Sequence, residues 1–205
     1  MRIGYGWDSH EFKKGIPLRI GGVTLPHPKG LAGHSDGDVL LHALTDALLG
    51  AIAAGDIGAY FPPSDPKWKN ADSATFVKEA VQRVKQSGYV IANIDSTIIL
   101  AEPKLAPHSA KIQARVAELL GIPTSAVGIK AKTPEGMGTD DAAIAHVTVL
   151  LLKKGSDQPQ KTRAVEAVPQ PEMDKVVDEV LKDVPRSPKA VTPAARSKKK
   201  MLKKK

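Results

Sequence analysis

Apolar residues in this chain recur with two different periods, and the order in which those periods alternate restricts its fold more than any other property. "RIGYGWDSH" (2–10) and "LRIGGVTL" (18–25) read as strands. "DVLLHALTDALLGAIAA" (38–54) has apolar residues at 40, 41, 44, 47, 48 and 49, the spacing of a largely buried helix, with Asp38 as N-cap and Gly55 as the stop. "SATFVKEAVQRVKQSG" (73–88) is a second helix, bounded by the cap Ser73 and by Gly88. A strand at 89–100, a helix at 107–121 that ends on Gly121, and strands in "AVGIKAK" (126–132) and "AIAHVTVLLL" (143–152) follow. This order predicts an α/β fold of the α+β type: a single two-layer domain, with a mixed sheet covered by helices. Aromatic residues make up only 4% of the chain, so its core must be aliphatic.

The composition breaks near Gly155. Residues 155–205 hold 6 of the 16 prolines, 13 of the 30 Lys/Arg and 7 of the 22 Asp/Glu, a net charge of +6 out of the +8 of the whole chain. The domain at 1–154 is therefore nearly balanced at +2, and the basicity belongs to a tail. That Pro/Lys-rich tail, 155–205, buries too little apolar surface to offset ordering entropy and is expected to be largely disordered. One stretch differs. Met173, Val176, Val177, Val180, Leu181 and Val184 form a helical stripe over 172–184, which either docks or is chance amphipathicity in a linker. Lysine clusters without interleaved aromatics give salt-dependent, nonspecific attraction to nucleic acid, so no specific nucleic-acid partner is expected.

The chain has no cysteine, which excludes disulfides and thiolate metal sites and leaves any transition metal to His and carboxylates. No run of 18 apolar residues occurs, so no membrane partner is expected, and the start lacks the pattern of a signal peptide. A cytoplasmic protein is the expectation.

Asp8 and His10 stand at strand spacing and aim at one face. His42 lies on the 38–54 helix, with Asp46 one turn on as a possible acceptor for its ring. Together Asp8, His10 and His42 offer three N/O ligands and leave one position open, the pattern of a catalytic zinc. The plainer alternatives are a polar strand end and a hydrogen-bonded core histidine. "GHSDGD" (33–38) runs into a helix N-terminus and suits an anion, or is an ordinary cap and turn. "GDIGAYFPPSDP" (55–66) is a rigid polar loop of the length often used for function. In "KAKTPEGMGTDD" (130–141), Lys130, Lys132 and Thr133 suit phosphate and Glu135 suits a hard cation such as magnesium; a solvated hairpin connection is the alternative. The Walker phosphate loop, a complete dinucleotide fingerprint, the G-x-S-x-G elbow and the His-Glu-x-x-His pair are all missing.

"RIGYGWDSH", "IGGV", "GLAGHSDGDVLLHALTDALLGA", "GDIGAYFPPSDP", "ADS" and "KAKT-x-E" occur here in the order and spacing of the 2-C-methyl-D-erythritol 2,4-cyclodiphosphate synthase family of the non-mevalonate isoprenoid pathway. The resemblance spans residues 1 to about 154 and leaves the tail without a counterpart. Its start at residue 1 carries the expectation that no preceding pathway enzyme is fused ahead of it.

The resemblance implies a phosphorus-oxygen lyase. Such an enzyme converts 4-diphosphocytidyl-2-C-methyl-D-erythritol 2-phosphate to the 2,4-cyclodiphosphate and CMP, as a homotrimer with active sites between subunits. It implies zinc on Asp8, His10 and His42, and magnesium or manganese on Glu135. His34 and Thr133 match positions that act at the reacting phosphates. Asp8, Ser9, His10, His34 and Ser35 match substrate contacts. Asp56, Ile57 and Gly58 match the methylerythritol pocket, and Phe61, Pro62, Pro63, Ser64 and Asp65 match the loop beside it. Leu100, Ala101, Glu102, Pro103, Lys104, Leu105 and Ala106 match the cytidine loop, and Lys132, Thr133, Pro134 and Glu135 the last binding segment. In one place the chain departs from the family: "TPEGMGTDDAAIA" is shorter than its usual counterpart and lacks a phosphate-binding Arg. Two rival readings remain at this level, a metal-dependent nucleotidyl phosphodiesterase that uses water and a non-catalytic binding protein.

Overall fold

The computed structural model describes residues 1–155. The expected disordered tail beyond Gly155 and the stripe at 172–184 lie outside the described residues. A five-stranded mixed sheet runs in the order β4 (Lys29–Leu31), β1 (Arg2–Lys14), β7 (Ala142–Lys153), β5 (Tyr89–Ile99), β6 (Val127–Lys132). Only the β5–β6 pair is parallel. A small hairpin of β2 (Leu18–Ile20) and β3 (Val23–Leu25) stands apart from it. The expected single strand over 18–25 is thus two strands. Gly21 and Gly22, with φ of 63° and 74°, turn the chain between them, a conformation that a side chain would strain.

Four helices complete the domain: α1 (Val39–Ala51), the single turn α2 (Ile57–Tyr60), α3 (Ala74–Gln86) and α4 (Ser109–Leu120). α1 packs on β1 and β7, α3 on β5 and α4 on β6. Because side chains alternate along a strand, the residues under the helices form the buried set: Ile94 and Ile98 of β5, and Val147, Val149 and Leu151 of β7. They meet Leu40, Leu44 and Leu48 of α1, Val77 and Val84 of α3, and Ile112 and Val116 of α4, all buried. The core is aliphatic, as an aromatic-poor composition requires. α1 ends three residues before the expected 54, with Ile52 closing the last turn in place of the Gly55 stop.

α1 approaches β1 more closely than side chains normally permit, and "GYG" is the reason. A β-carbon on Gly4 or Gly6 would come within 1.9 Å of the carbonyl oxygens of Ala47 and Ala43. These glycines face small residues across the contact and serve helix–strand packing, with no nucleotide fingerprint involved.

Among the described residues the opposite face of the sheet carries no helix. Ile3, Tyr5 and Trp7 of β1 are 66%, 59% and 49% exposed on it. Leu150, Thr148 and His146 stand beside them in register on β7, and the Tyr5 hydroxyl lies 2.8 Å from His146 Nδ1. Beyond, on β5 and β6, Asp95 and Lys130 form an ion pair. No helix among the described residues is long and apolar enough to cross a membrane.

Candidate active site

The close crossing of α1 and β1 brings residue 42 to residues 8 and 10. Asp8 and His10 continue the Gly4–Gly6 face of β1 and so point toward α1. His42 sits one turn into α1, which Asp38 anchors. Buried completely, the Asp38 carboxylate accepts from the backbone N–H of Leu41 (3.1 Å), Gly21 (2.9 Å) and Gly22 (2.6 Å). It therefore caps the helix and ties the β2–β3 turn to it.

Asp8 Oδ2 lies 3.0 Å from His42 Nδ1 and 3.0 Å from His10 Nε2, and the two ring nitrogens are 2.9 Å apart. Ligand atoms around a tetrahedral zinc, each about 2.1 Å from the ion, sit roughly 3.4 Å from one another. The three donors are within a few tenths of an ångström of that spacing, and one carboxylate with two imidazoles is a donor set zinc accepts. Burial by itself raises the Asp8 pKa. The two imidazoles beside it, His10 and His42, outweigh burial and hold the carboxyl well below its ordinary range, in the anionic form a cation needs.

The expected acceptor for His42 is a different residue. Asp46 takes the backbone N–H of Ile57 at 2.7 Å and so fixes the start of the next loop. The second ring nitrogen of His42 instead lies 2.8 Å from both Ser73 Oγ and Ser35 Oγ. Ser35, matched by resemblance to substrate, thus contacts a metal-type histidine here. Helix geometry places residue i+4 on the same face, but the imidazole turns across α1 toward the loops.

Beside the triad opens a cavity of about 210 Å³, lined by His10, His34, Ser35, His42, Ile57, Gly58, Phe61 and Pro63, with Trp68 and Phe76 closing it. Nε2 of His34 is buried and has no hydrogen-bond partner there. A buried polar atom left unpaired costs about 1–3 kcal/mol, so this nitrogen has hydrogen-bonding capacity to spare for a polar group. The aromatic wall is cohesive: Phe61 stands 4.4 Å from Phe76 and 4.9 Å from Trp68 between ring centroids. Trp68 and Phe76 drew no attention in the sequence, where Phe76 reads as one more apolar position of α3. Asp56 caps α2 through Ala59 N–H (3.0 Å), and Asp65 accepts from Lys67 N–H (3.0 Å). Both shape the loop. Pro62 and Ser64 belong to it without lining the cavity.

A second cavity, about 500 Å³, gathers Leu100, Pro103, Lys104, Leu105 and Ala106 after β5 with Ala131, Lys132, Thr133 and Glu135 after β6. Two segments distant in sequence thus form one wall, with two lysines suited to phosphate. Glu135 adopts a left-handed φ of 50°, and the Thr133 hydroxyl hydrogen-bonds its carboxylate. Pro134 is buried beneath. Ala101 and Glu102 flank this cavity without lining it; Glu102 instead stands 4.0 Å from His27. Ser9 alternates to the opposite face of β1, beside Ile144, away from the triad.

The two cavities share no residue. Their strands, β1 and β6, are separated in the sheet by β7 and β5, three spacings or about 14 Å.

Comparison with known proteins fits this geometry. A relative from Koribacter versatilis named 2-C-methyl-D-erythritol 2,4-cyclodiphosphate synthase is 62% identical over 154 residues, which is 75% of this chain and 99% of the relative. A Bacillus cereus protein of the same name is 51% identical over 156 residues and 99% of its length. A solved structure described as 2C-methyl-D-erythritol-2,4-cyclodiphosphate synthase superposes with a TM-score of 0.71 at 42% identity, over 74% of this chain and all of that one. A form of that synthase bound to CDP superposes at 0.70 with 40% identity, over the same shares. The profile of the YgbB family matches residues 1–152, and the chain belongs to that family.

Proposed function

We propose that the chain converts 4-diphosphocytidyl-2-C-methyl-D-erythritol 2-phosphate to 2-C-methyl-D-erythritol 2,4-cyclodiphosphate and CMP. The observation that carries this is the pairing of a carboxylate–imidazole triad and a polar-seated apolar cavity with a separate lysine-lined cavity. Relatives named for the reaction, and a relative bound to CDP, supply the substrate class.

In the reaction an oxygen of the 2-phosphate attacks the β-phosphorus, and the bond from that phosphorus to the α-phosphate oxygen breaks. CMP leaves with the electron pair, and an eight-membered ring closes. The nucleophile is already an anion, so no strong base is required; the demands are charge neutralisation and in-line positioning. Asp8, His10 and His42 would hold zinc, and Glu135 magnesium or manganese, which supply Lewis acidity toward the phosphate oxygens. Ile57, Gly58 and Phe61 pack the methylerythritol carbons and exclude water. His34, with its unpaired Nε2 at the cavity wall, hydrogen-bonds the phosphate end. Lys104, Lys132 and Thr133 hold the diphosphate beside the cytidine loop at 100–106.

The functional form is a homotrimer with each site shared between neighbours, and two observations support it. Among the described residues nothing covers the apolar sheet face that includes Ile3, Tyr5 and Trp7. The two half-sites lie on strands about 14 Å apart within one chain, an arrangement that a second copy bringing the complementary half would complete. The domain is assigned to 1–154, with 155–205 as an appendage, and the reaction to the cytoplasm.

Phosphorus NMR of the zinc- and magnesium-loaded protein with the cytidine diphosphate substrate tests the assignment. A cyclic diphosphate and CMP are expected from the wild type and not from His42→Ala. A free monophosphate without cyclic product would reject it in favour of hydrolysis.

A further inference from the structure

His42 touches four groups, and two of them determine where its proton sits. Ser73 is wholly buried at the start of α3, the position where serine normally caps a helix, yet its hydroxyl makes no cap bond. Asp72 takes that role, accepting from Ala74 N–H at 2.9 Å. The Ser73 hydroxyl turns inward, 2.5 Å from Asp36 Oδ1 and 2.8 Å from His42 Nε2. An ionised carboxylate only accepts. Asp36 is surrounded by donors: Asp38 N–H at 3.3 Å on Oδ1, and Arg19 Nη1 at 3.2 Å and Ser73 N–H at 3.3 Å on Oδ2. The single hydroxyl hydrogen of Ser73 goes to the Asp36 carboxylate, the nearer and stronger acceptor, rather than to Ser35 Oγ at 3.2 Å, and toward His42 the oxygen presents only lone pairs. Nε2 must donate. A neutral imidazole that carries its hydrogen on Nε2 has its free pair on Nδ1, where the N–H at His10 Nε2, 2.9 Å away and 3.0 Å from Asp8 Oδ2, is the donor both to that pair and to the carboxylate.

We propose that Asp36 and Ser73 are positioning residues that lock His42 in the Nε2–H tautomer, so that Nδ1 is presented as a ligand before any cation arrives. The value of this lock to catalysis rests on the metal reading above, but the lock itself is a property of the metal-free chain. Ser35 Oγ, also 2.8 Å from Nε2, does not fix the tautomer, because its own hydrogen is free to point either way.

A reversal follows for an isosteric change. In Asp36→Asn, Arg19 and Ser73 N–H keep the amide oxygen at the Oδ2 position, so the amide NH₂ faces Ser73. The amide then donates to the Ser73 oxygen and releases the hydroxyl hydrogen toward His42 Nε2. The ring is expected to switch to Nδ1–H, hydrogen-bonded to Asp8 and closed to a metal.

The test is long-range ¹H–¹⁵N correlation of the histidine rings in the full-length, metal-free protein at about pH 8, where ordinary imidazoles are neutral. The wild type is expected to show His42 protonated on Nε2, Asp36→Asn to show it on Nδ1, and Ser73→Ala to show a mixture. Backbone spectra matching the wild type establish that each variant is folded. A wild-type ring protonated on Nδ1, or Nε2–H retained in both variants, overturns the proposal. Zinc competition with a chromophoric chelator then separates the two readings. Binding about 10–100-fold weaker in Asp36→Asn supports both. A wild type that takes no zinc while holding Nε2–H rejects the metal reading and leaves the lock standing.

Discussion

Gly6 and Ala43 meet so closely that a β-carbon on the glycine would sit 1.9 Å from the alanine's carbonyl oxygen. Ala43 follows His42 directly, and Gly6 lies two residues before Asp8, so this contact sets the separation of the metal-type side chains. The obstruction is backbone and cannot rotate away. Gly6→Ala is expected to destabilise the fold by about 3 kcal/mol or more, as measured in urea, because α1 must lift from β1. Zinc affinity should fall with it, since the same displacement moves Nδ1 of His42 from Asp8.

Metal removal gives a second expectation. A cation that binds only the folded state stabilises it by about 2.7 kcal/mol at a hundredfold excess over Kd. For a domain of this size that corresponds to a rise in Tm of roughly 5–10 °C. Chelation should lower the wild-type Tm by that amount and leave His10→Ala unmoved. Scanning calorimetry with and without chelator is the check.

Asp38 holds three backbone N–H groups that have no other partner nearby. Asp38→Ala should cost several kcal/mol, since each orphaned donor costs about 1–3 kcal/mol. Burial raises the Asp38 pKa and Asp36 adds to the rise, against the opposing pull of the Gly22, Leu41 and Gly21 donors. Above its ordinary value of 3.8 the folded carboxyl keeps a proton that the unfolded one has lost. Stability from this group therefore falls as pH increases from there through the folded pKa, then levels. Asp38→Asn should lack that segment of the pH profile, read from urea midpoints from about pH 4 upward.

The uncovered sheet face gives the fourth. Trp7→Glu combined with Tyr5→Glu puts charge where a second copy is proposed to pack. Sedimentation should show a trimer become a monomer with an unchanged circular dichroism spectrum. Turnover should drop roughly 100-fold or more, because the substrate's reacting ends are no longer held together.

Local chemistry made some of this readable from the residues. Asp38 before an apolar run is a cap in any context, and α1 starts where that predicts. Asp8, His10 and His42 were recognisable as ligand types, yet their meeting depends on Gly4 and Gly6 facing Ala47 and Ala43, a contact between residues some 40 apart that no local pattern expresses. Ser73 shows the limit most clearly. A serine that caps and a serine that accepts from a histidine have the same neighbours in sequence, and only the position of Asp36 distinguishes them. Asp46 misled for the converse reason: helical spacing was right, but the ring turned elsewhere and Ile57 claimed the carboxylate. The 18–25 hairpin was in plain view at Gly21–Gly22, where two adjacent glycines outweigh the apolar run around them.

The separation of the two cavities onto β1 and β6, three strands apart, has a genetic meaning. A chain altered at His42 keeps the lysine-lined cavity intact, and a chain altered at Lys132 keeps the triad intact. In the proposed trimer with shared sites, the two lesions can fall on opposite sides of one site and leave a neighbouring site whole. With random mixing of equal amounts, about one site in four would draw both of its halves from the sound side of each parent. Two alleles that are silent alone should therefore restore growth when expressed together, which no pair of lesions within a single cavity can do.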